Sequence, residues 1–238
     1  MRLIKVQLLF HLNNGEINLK KILKLAPSIL SADFSVLKNE INSVANADYL
    51  HIDVMDGMFV ENISLGIPVI KSIRKVTDLI FDVHLMIDEP RRYIKQFANA
   101  GADIITIHAE ASDDLKGDLK MIKSFNKKAG VAIKPNTSLD AINDVLDLAD
   151  MFLIMSVEPG FGGQKLIDFT LQKALSLSKI VCDKDIEMDG GINLENVESV
   201  LKSGVNVIVV GSAIFNCDDR NKKINRFREK FMEYENQA

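Results

Sequence analysis

The chain has 238 residues, 47% hydrophobic and 26% charged, with a net charge of −4. That is the composition of an ordinary globular protein, and with no long basic block it excludes a nucleic-acid surface. No apolar run reaches the roughly 20 residues of a membrane-crossing helix. The two cysteines, Cys182 and Cys217, lie outside any C-x-x-C pattern, so they exclude a disulfide framework. They read as half-buried thiols in a reducing, cytoplasmic setting.

Residues 1–24 stand apart, with Arg2, Lys5, Lys20, Lys21 and Lys24 against Glu16. The apolar piece at 6–10 is too short and interrupted for a secretory signal, and no small-residue cleavage site follows it. The basic bias leaves an organellar address open. An extension packed on or trailing from the main domain is the simpler reading. Residues 25–238 then form one domain, close to the size of a single α/β barrel.

From residue 25 onward, apolar runs alternate with helical patterns. A first strand is expected over 25–30, then a helix over 34–45 with Phe34, Leu37, Ile41 and Val44 at helical spacing and Ser31 or Asp33 as cap. The strand at 48–53 precedes a helix at 67–75, with Pro68 tolerated in its first turn. Next come a strand over 79–86, a helix over 89–100 closed by Gly101, and a strand over 104–108. A helix over 115–128 closed by Gly130, a short strand over 131–133 and a helix over 139–148 follow. The remainder reads as strands over 151–155, 186–189 and 207–210, with helices over 168–180, 194–202 and 220–234. Eight strands, each followed by a helix, predict a (β/α)8 barrel, also called a TIM barrel. A doubly wound sheet would be expected to carry a glycine-rich fingerprint after its first strand, and Ser31-Ala32-Asp33-Phe34 has none.

In such barrels the active site lies at the C-terminal ends of the strands. In Tyr49-Leu50-His51-Ile52-Asp53-Val54-Met55, residues two apart share a face, so His51, Asp53 and Met55 look one way. Taken alone, that pair could equally be a structural hydrogen bond. However, three of the four histidines, His51, His84 and His108, fall at or near strand ends, as do Asp53 and Asp189. His51, Asp53, His84 and Asp189 together are the ligand types of a divalent zinc, iron(II), manganese or cobalt ion. His108 lies near this site but is not assigned as a ligand. Met55, Met86 and Met155 end strands too, and either fill the core or line the site. The turns Pro159-Gly160-Phe161-Gly162-Gly163, Gly190-Gly191 and Gly211-Ser212 suit a phosphate cradle made of backbone N–H groups. The first of them is long enough to close as a lid.

Taken in order, several segments resemble the ribulose-phosphate 3-epimerase family. They are Ala26-Pro27-Ser28-Ile29-Leu30-Ser31-Ala32-Asp33, His51-Ile52-Asp53-Val54-Met55-Asp56-Gly57 and Asp82-Val83-His84-Leu85-Met86, then Val157-Glu158-Pro159-Gly160-Phe161-Gly162-Gly163-Gln164, Asp189-Gly190-Gly191-Ile192 and Gly211-Ser212-Ala213-Ile214. The likeness runs from about Leu25 to the last helix and leaves the N-terminal segment without a counterpart. It implies interconversion of D-ribulose 5-phosphate and D-xylulose 5-phosphate, a step of the pentose phosphate pathway. It also implies that Asp53 and Asp189 are the acid/base pair, and that they hold one divalent ion with His51 and His84. Two-base proton transfer at C3 through an enediolate would follow, with Met55, Met86 and Met155 excluding water. Substrate binding would fall to Ser28, His84, Gly160, Phe161, Gly162, Gly163, Gly190, Gly191, Gly211 and Ser212. The resemblance further implies a homo-oligomer, with a dimer favoured.

Two other readings stand beside this one. The first is a sister activity on the same barrel: epimerisation of a hexulose 6-phosphate, decarboxylation or aldol chemistry. Asp189 opposite Asp53 favours epimerisation, because a decarboxylase would be expected to place a lysine near the reacting carbon and none follows His51 or Asp53 closely. Pentulose and hexulose preference is not separated at this level. The second is a phosphate-binding barrel without chemistry, which would have lost one of His51, Asp53, His84 or Asp189; all four are present.

Overall fold

The computed structural model describes residues 10–13, 16–19 and 21–237. Short strands β1 (Phe10–Asn13) and β2 (Glu16–Leu19) pair antiparallel in a sheet of their own. The rest of the N-terminal segment, with its possible targeting role, lies largely outside the described residues. The barrel strands are β3 (Lys24–Pro27), β4 (Tyr49–Met55), β5 (Ile80–Met86), β6 (Ile104–His108), β7 (Lys128–Ile133), β8 (Met151–Met155), β9 (Asp185–Asp189) and β10 (Val207–Val210). All are parallel, in the order β3-β10-β9-β8-β7-β6-β5-β4. The seam between β3 and β4 closes through a parallel bridge of Ser28 with His51. The helices are α1 (Leu37–Asn42), α2 (Ile67–Ile73), α3 (Ile94–Ala100), α4 (Leu115–Ser124), α5 (Phe169–Ser178), α6 (Val197–Lys202), α7 (Ser212–Phe215) and α8 (Arg220–Gln237). This is the expected (β/α)8 barrel. No helix among the described residues is long and apolar enough to cross a membrane.

Several boundaries differ from expectation, each for a local reason. The first strand stops at Pro27, because the Ser28 hydroxyl accepts the Leu30 N–H and starts a 3-10 turn over Ile29–Ser31. Asp33 caps as expected, but it opens a 3-10 turn over Phe34–Val36, and α1 begins only at Leu37. The expected helix at 139–148 is instead a 3-10 stretch, Leu139–Val145. Its apolar spacing is helical, yet Asp140, Asn143, Asp144 and Asp147 are all poor α-helix formers. Helix α4 ends at Ser124 and the chain turns at Asn126, with φ +57. Gly130 therefore does not close that helix. It lies inside β7, where a Cβ would stand 2.2 Å from Thr106 Oγ1. The single turn α7 was not anticipated. Cys182, expected half-buried, is exposed just past the end of α5; Cys217 is half-buried.

Side-chain alternation divides the barrel. Along β4, Leu50, Ile52 and Val54 face outward into a continuous apolar layer with the helices. Ala26, Tyr49, Ile104, Met151, Val207 and Val209 plug the N-terminal end of the interior. Four reciprocal contacts brace that end. Asp48, Asp103, Asp150 and Asn206 each immediately precede a strand. Each donates its own N–H to the carbonyl of Leu25, Phe81, Ala129 or Ile186, the second residue of the preceding strand. Each side-chain oxygen then accepts the N–H of that same residue, at 2.7, 2.8, 2.9 and 2.8 Å respectively. The pattern recurs at every second strand and ties the barrel floor together, away from the functional rim. Asp150→Ala would leave the buried Ala129 N–H without its carboxylate. It should cost about 1–2 kcal/mol, lowering the melting temperature by roughly 2–8 °C. A thermal melt followed by circular dichroism checks this.

Candidate metal centre and substrate cavity

The two strands that carry the histidines read His-x-Asp and Asp-x-His, and they pair in register. His51 on β4 lies beside Asp82 on β5, and Asp53 lies beside His84. Period-two alternation turns all four inward. On the far side, β9 ends with Asp189. Donor atoms of His51, Asp53, His84 and Asp189 all lie within 4.8 Å of one another. The sequence-derived ligand set is therefore brought together at the C-terminal mouth. Both histidines are fully buried and Asp53 is 3% exposed.

Hydrogen bonds decide which atom each group presents. Nδ1 of His51 lies 2.6 Å from Asp82 Oδ2, an acceptor, so Nδ1 donates. That leaves Nε2 facing Asp53 Oδ1 at 3.3 Å, with no hydrogen-bond partner among the described residues. Nδ1 of His84 reaches the same Asp53 oxygen at 3.0 Å. The other Asp53 oxygen accepts from the Ser28 hydroxyl at 2.5 Å. Two ring nitrogens thus converge on one carboxylate oxygen, and a positive charge must sit among them to avoid lone pairs facing each other.

The electrostatics respond to that need. Burial opposes a charge on His51, but Asp53 and Asp82 outweigh it and hold the ring protonated well above its usual range. Burial also opposes ionisation of Asp53, yet His51 and His84 outweigh it and keep the carboxyl far below its usual value. Burial and the neighbouring charge of Asp53 push Asp189 up to about 6. The cluster binds a proton with a nitrogen and oxygen donor set that suits a divalent ion of the zinc, iron, manganese or cobalt kind. These residues fit a metal ion and could hold one.

Sequence reasoning assigned no role to the groups behind the cluster. Asp82 orients His51, a task carboxylates commonly perform for metal-binding histidines. Glu187 is fully buried, 3.5 Å from His51 Nδ1, and kept neutral by burial and then by the charge of Asp82. His108 sits outside the ligand set, with its Nε2 2.9 Å from Nε2 of His84 and its Nδ1 3.2 Å from Glu110 Oε2. Burial pushes His108 down to about 4. The available signal was parity: Asp82 and Glu187 stand two residues before His84 and Asp189, and so share their inward face.

Above the cluster opens a cavity of about 640 Å³. Ser28, Asp53 and Asp189 are in its wall with Met55, Met86 and Met155, whereas His51 and His84 lie beneath its lining. Gly160, Phe161, Gly162, Gly163, Gly190, Gly191, Gly211 and Ser212 line it as well. The glycine turn before α6 is sterically required. Gly191 has φ +66, and a Cβ there would come 2.3 Å from the Leu166 nitrogen. The loop after β8 is tied across the mouth by Asn62, whose Nδ2 donates to the Gly160 carbonyl at 2.7 Å.

Residues 24–215 match the model of the ribulose-phosphate 3 epimerase family. The chain is 48% identical over 214 residues to ribulose-phosphate 3-epimerase of Bacillus subtilis, covering 87% of this chain and 99% of that protein. It is 49% identical over 208 residues to ribulose-phosphate 3-epimerase of Synechocystis, covering 84% and 90%. Among solved structures, KGPDC from Streptococcus mutans superposes with a TM-score of 0.70 at 16% identity, covering 90% of this chain and 99% of that one. At that identity the likeness is one of fold.

Ion binding should be proton-linked. A divalent ion requires that Asp189, at about 6, be ionised and that His51 give up its cluster-facing proton. Manganese or zinc added to metal-free protein is therefore expected to raise the melting temperature. That increment should shrink as pH falls through about 6 and vanish in His51→Asn. Melting scans with and without the ion across pH check this.

Proposed function

The chain belongs to the ribulose-phosphate 3-epimerase family, and from that premise we propose how it inverts C3 of D-ribulose 5-phosphate to give D-xylulose 5-phosphate, with Asp53 and Asp189 as its two proton-transfer groups. One observation carries the assignment. A buried and a half-buried carboxyl share one cluster, yet their surroundings drive them apart: Asp53 is held ionised, and Asp189 is pushed up to about 6. Paired titratable groups separated in this way are suited to be base and acid.

The residues present divide the work. Backbone N–H groups at Gly162-Gly163, Gly190-Gly191 and Gly211-Ser212 take the substrate phosphate. The sugar then lies toward Asp53 and Asp189, which line the same cavity. Ser28 donates to Asp53 Oδ2 and fixes the orientation of that carboxylate. His51, Asp53, His84 and Asp189 would hold a divalent ion, which would supply Lewis acidity toward negative charge developing on the substrate. Starting from one epimer, an ionised aspartate removes the C3 proton. The C–H electron pair forms the C2–C3 double bond of an enediolate, with negative charge on the C2 oxygen. The second aspartate, protonated, delivers its proton to the opposite face of C3 and inverts that centre. The reverse reaction exchanges the two roles. Met55, Met86 and Met155 keep water from the enediolate, which would otherwise gain a proton from either side.

Each aspartate therefore serves one face of C3. Asp53→Asn and Asp189→Asn should each lower epimerisation by about 10²–10⁴-fold or more. In heavy water, each variant should still exchange the C3 proton of one epimer without inverting it, and the two variants should select opposite epimers. Proton NMR of both sugar phosphates in heavy water checks this. Near-normal turnover in either variant would rule out the two-base assignment.

A further inference from the structure

One buried hydroxyl joins the loop after β8 to the glycine turn after β9. We propose that Ser156 is a positioning residue, whose side chain turns the Gly190–Gly191 peptide so that its N–H faces the substrate phosphate. This rests on the reading of Gly190-Gly191 as part of the phosphate cradle. Ser156 is fully buried and does not line the substrate cavity, so it acts on the substrate only through the backbone.

Ser156 directly follows β8 and binds in three directions. Its N–H donates to the Asp189 carbonyl at 2.7 Å, and its own carbonyl accepts the Ile167 N–H at 2.8 Å, closing the loop 157–166 at its base. Both are main-chain bonds and survive a change of side chain. The hydroxyl lies 2.7 Å from the Gly190 carbonyl oxygen and 2.8 Å from that of Asp189. It has one hydrogen to donate. The Asp189 oxygen already holds the Ser156 N–H, whereas the Gly190 oxygen has no other donor among the described residues. The side chain is therefore what fixes the Gly190 carbonyl. The next carbonyl, that of Gly191, is held by Asn196 Nδ2 at 2.9 Å. In a planar trans peptide the C=O and N–H point in opposite directions. With its C=O turned onto the buried hydroxyl, the Gly190–Gly191 peptide sends its N–H the other way, toward the cavity that both glycines line. The N–H groups of Gly190, Gly191 and Ile192 have no partner among the described residues. Successive free N–H groups in a turn make an anion-binding concavity. A Gly190 carbonyl rotated into it would set a partial negative charge against the phosphate.

Loss of the hydroxyl should weaken the grip on phosphate and spare proton transfer, because the main-chain bond from Ser156 to Asp189 remains. In Ser156→Ala, KM for D-ribulose 5-phosphate should rise about 3–10-fold, with kcat within about twofold. Inorganic phosphate, titrated into the protein and followed by amide ¹⁵N–¹H NMR, should shift the Gly190, Gly191 and Ile192 signals. It should bind about 3–10-fold more weakly to Ser156→Ala. Ser156→Thr and Ser156→Val separate the hydroxyl from packing, because they fill nearly the same volume and differ in that one group. Phosphate should bind about 3–10-fold more tightly to Ser156→Thr than to Ser156→Val. Equal phosphate affinity in that pair, or a fall in kcat at unchanged KM in Ser156→Ala, would overturn the positioning role. Phosphate that binds the unaltered chain without shifting the Gly190 and Gly191 signals would overturn the cradle reading, and the proposal with it.

Discussion

Everything at the mouth of this barrel depends on two imidazoles aimed at one oxygen of Asp53. His51 reaches it from the same strand and His84 from the neighbouring one. The convergence follows from register: His-x-Asp on β4 pairs with Asp-x-His on β5, so each histidine gains a carboxylate beside it. One carboxylate, Asp53, sits at the mouth and is shared. The other, Asp82, lies deeper and holds His51 from behind. A cluster of this kind is unstable without positive charge at its centre, which is why the same four residues favour a proton and fit a divalent ion. The chemistry then needs only a second carboxyl with a different affinity for protons, and Asp189 on β9 supplies it.

This arrangement puts charge where a barrel usually packs aliphatic side chains. Asp82, Glu187, His51 and Thr106 are all fully buried. Both oxygens of Glu187 lack a hydrogen-bond partner among the described residues. A buried polar group left unpaired costs about 1–3 kcal/mol. The opposite end of the barrel works the other way. There the interior is apolar, and the reciprocal pairs of Asp48, Asp103, Asp150 and Asn206 satisfy backbone groups at the strand starts. Stability is concentrated at the floor and strain at the mouth. Changes at the mouth can thus alter chemistry while the floor keeps the strands in register.

The barrel and its site differ in how far they could be read from the sequence. Strands were legible because their apolar runs are short and bounded, and because His51, Asp53, His84 and Asp189 fall at strand ends where period-two alternation turns them inward. Helix boundaries were less so. Residues 139–145 carry helical spacing, but their aspartates and asparagine are poor α-helix formers, and spacing alone does not register that weakness. At Pro27 the strand ended early because a serine hydroxyl captured a backbone N–H two residues on. Asp82 and Glu187 gained no role because theirs depend on contacts with His51 and on which of its nitrogens carries a proton. That is decided by contacts across strands, between residues far apart in the sequence, such as His51 and Asp82 at 31 positions.

The opposed protonation of the two mouth carboxyls underlies the proposed chemistry, and infrared difference spectroscopy of metal-free protein with ¹³C-labelled aspartate tests it most directly. A single aspartic-acid carbonyl band should grow as pH falls through about 6. It should disappear in Asp189→Asn and persist in Ser28→Ala, because the proton resides on Asp189 while Asp53 stays ionised. A band that survives Asp189→Asn, or none above the ordinary carboxyl range, would contradict the assignment of acid and base to these two residues.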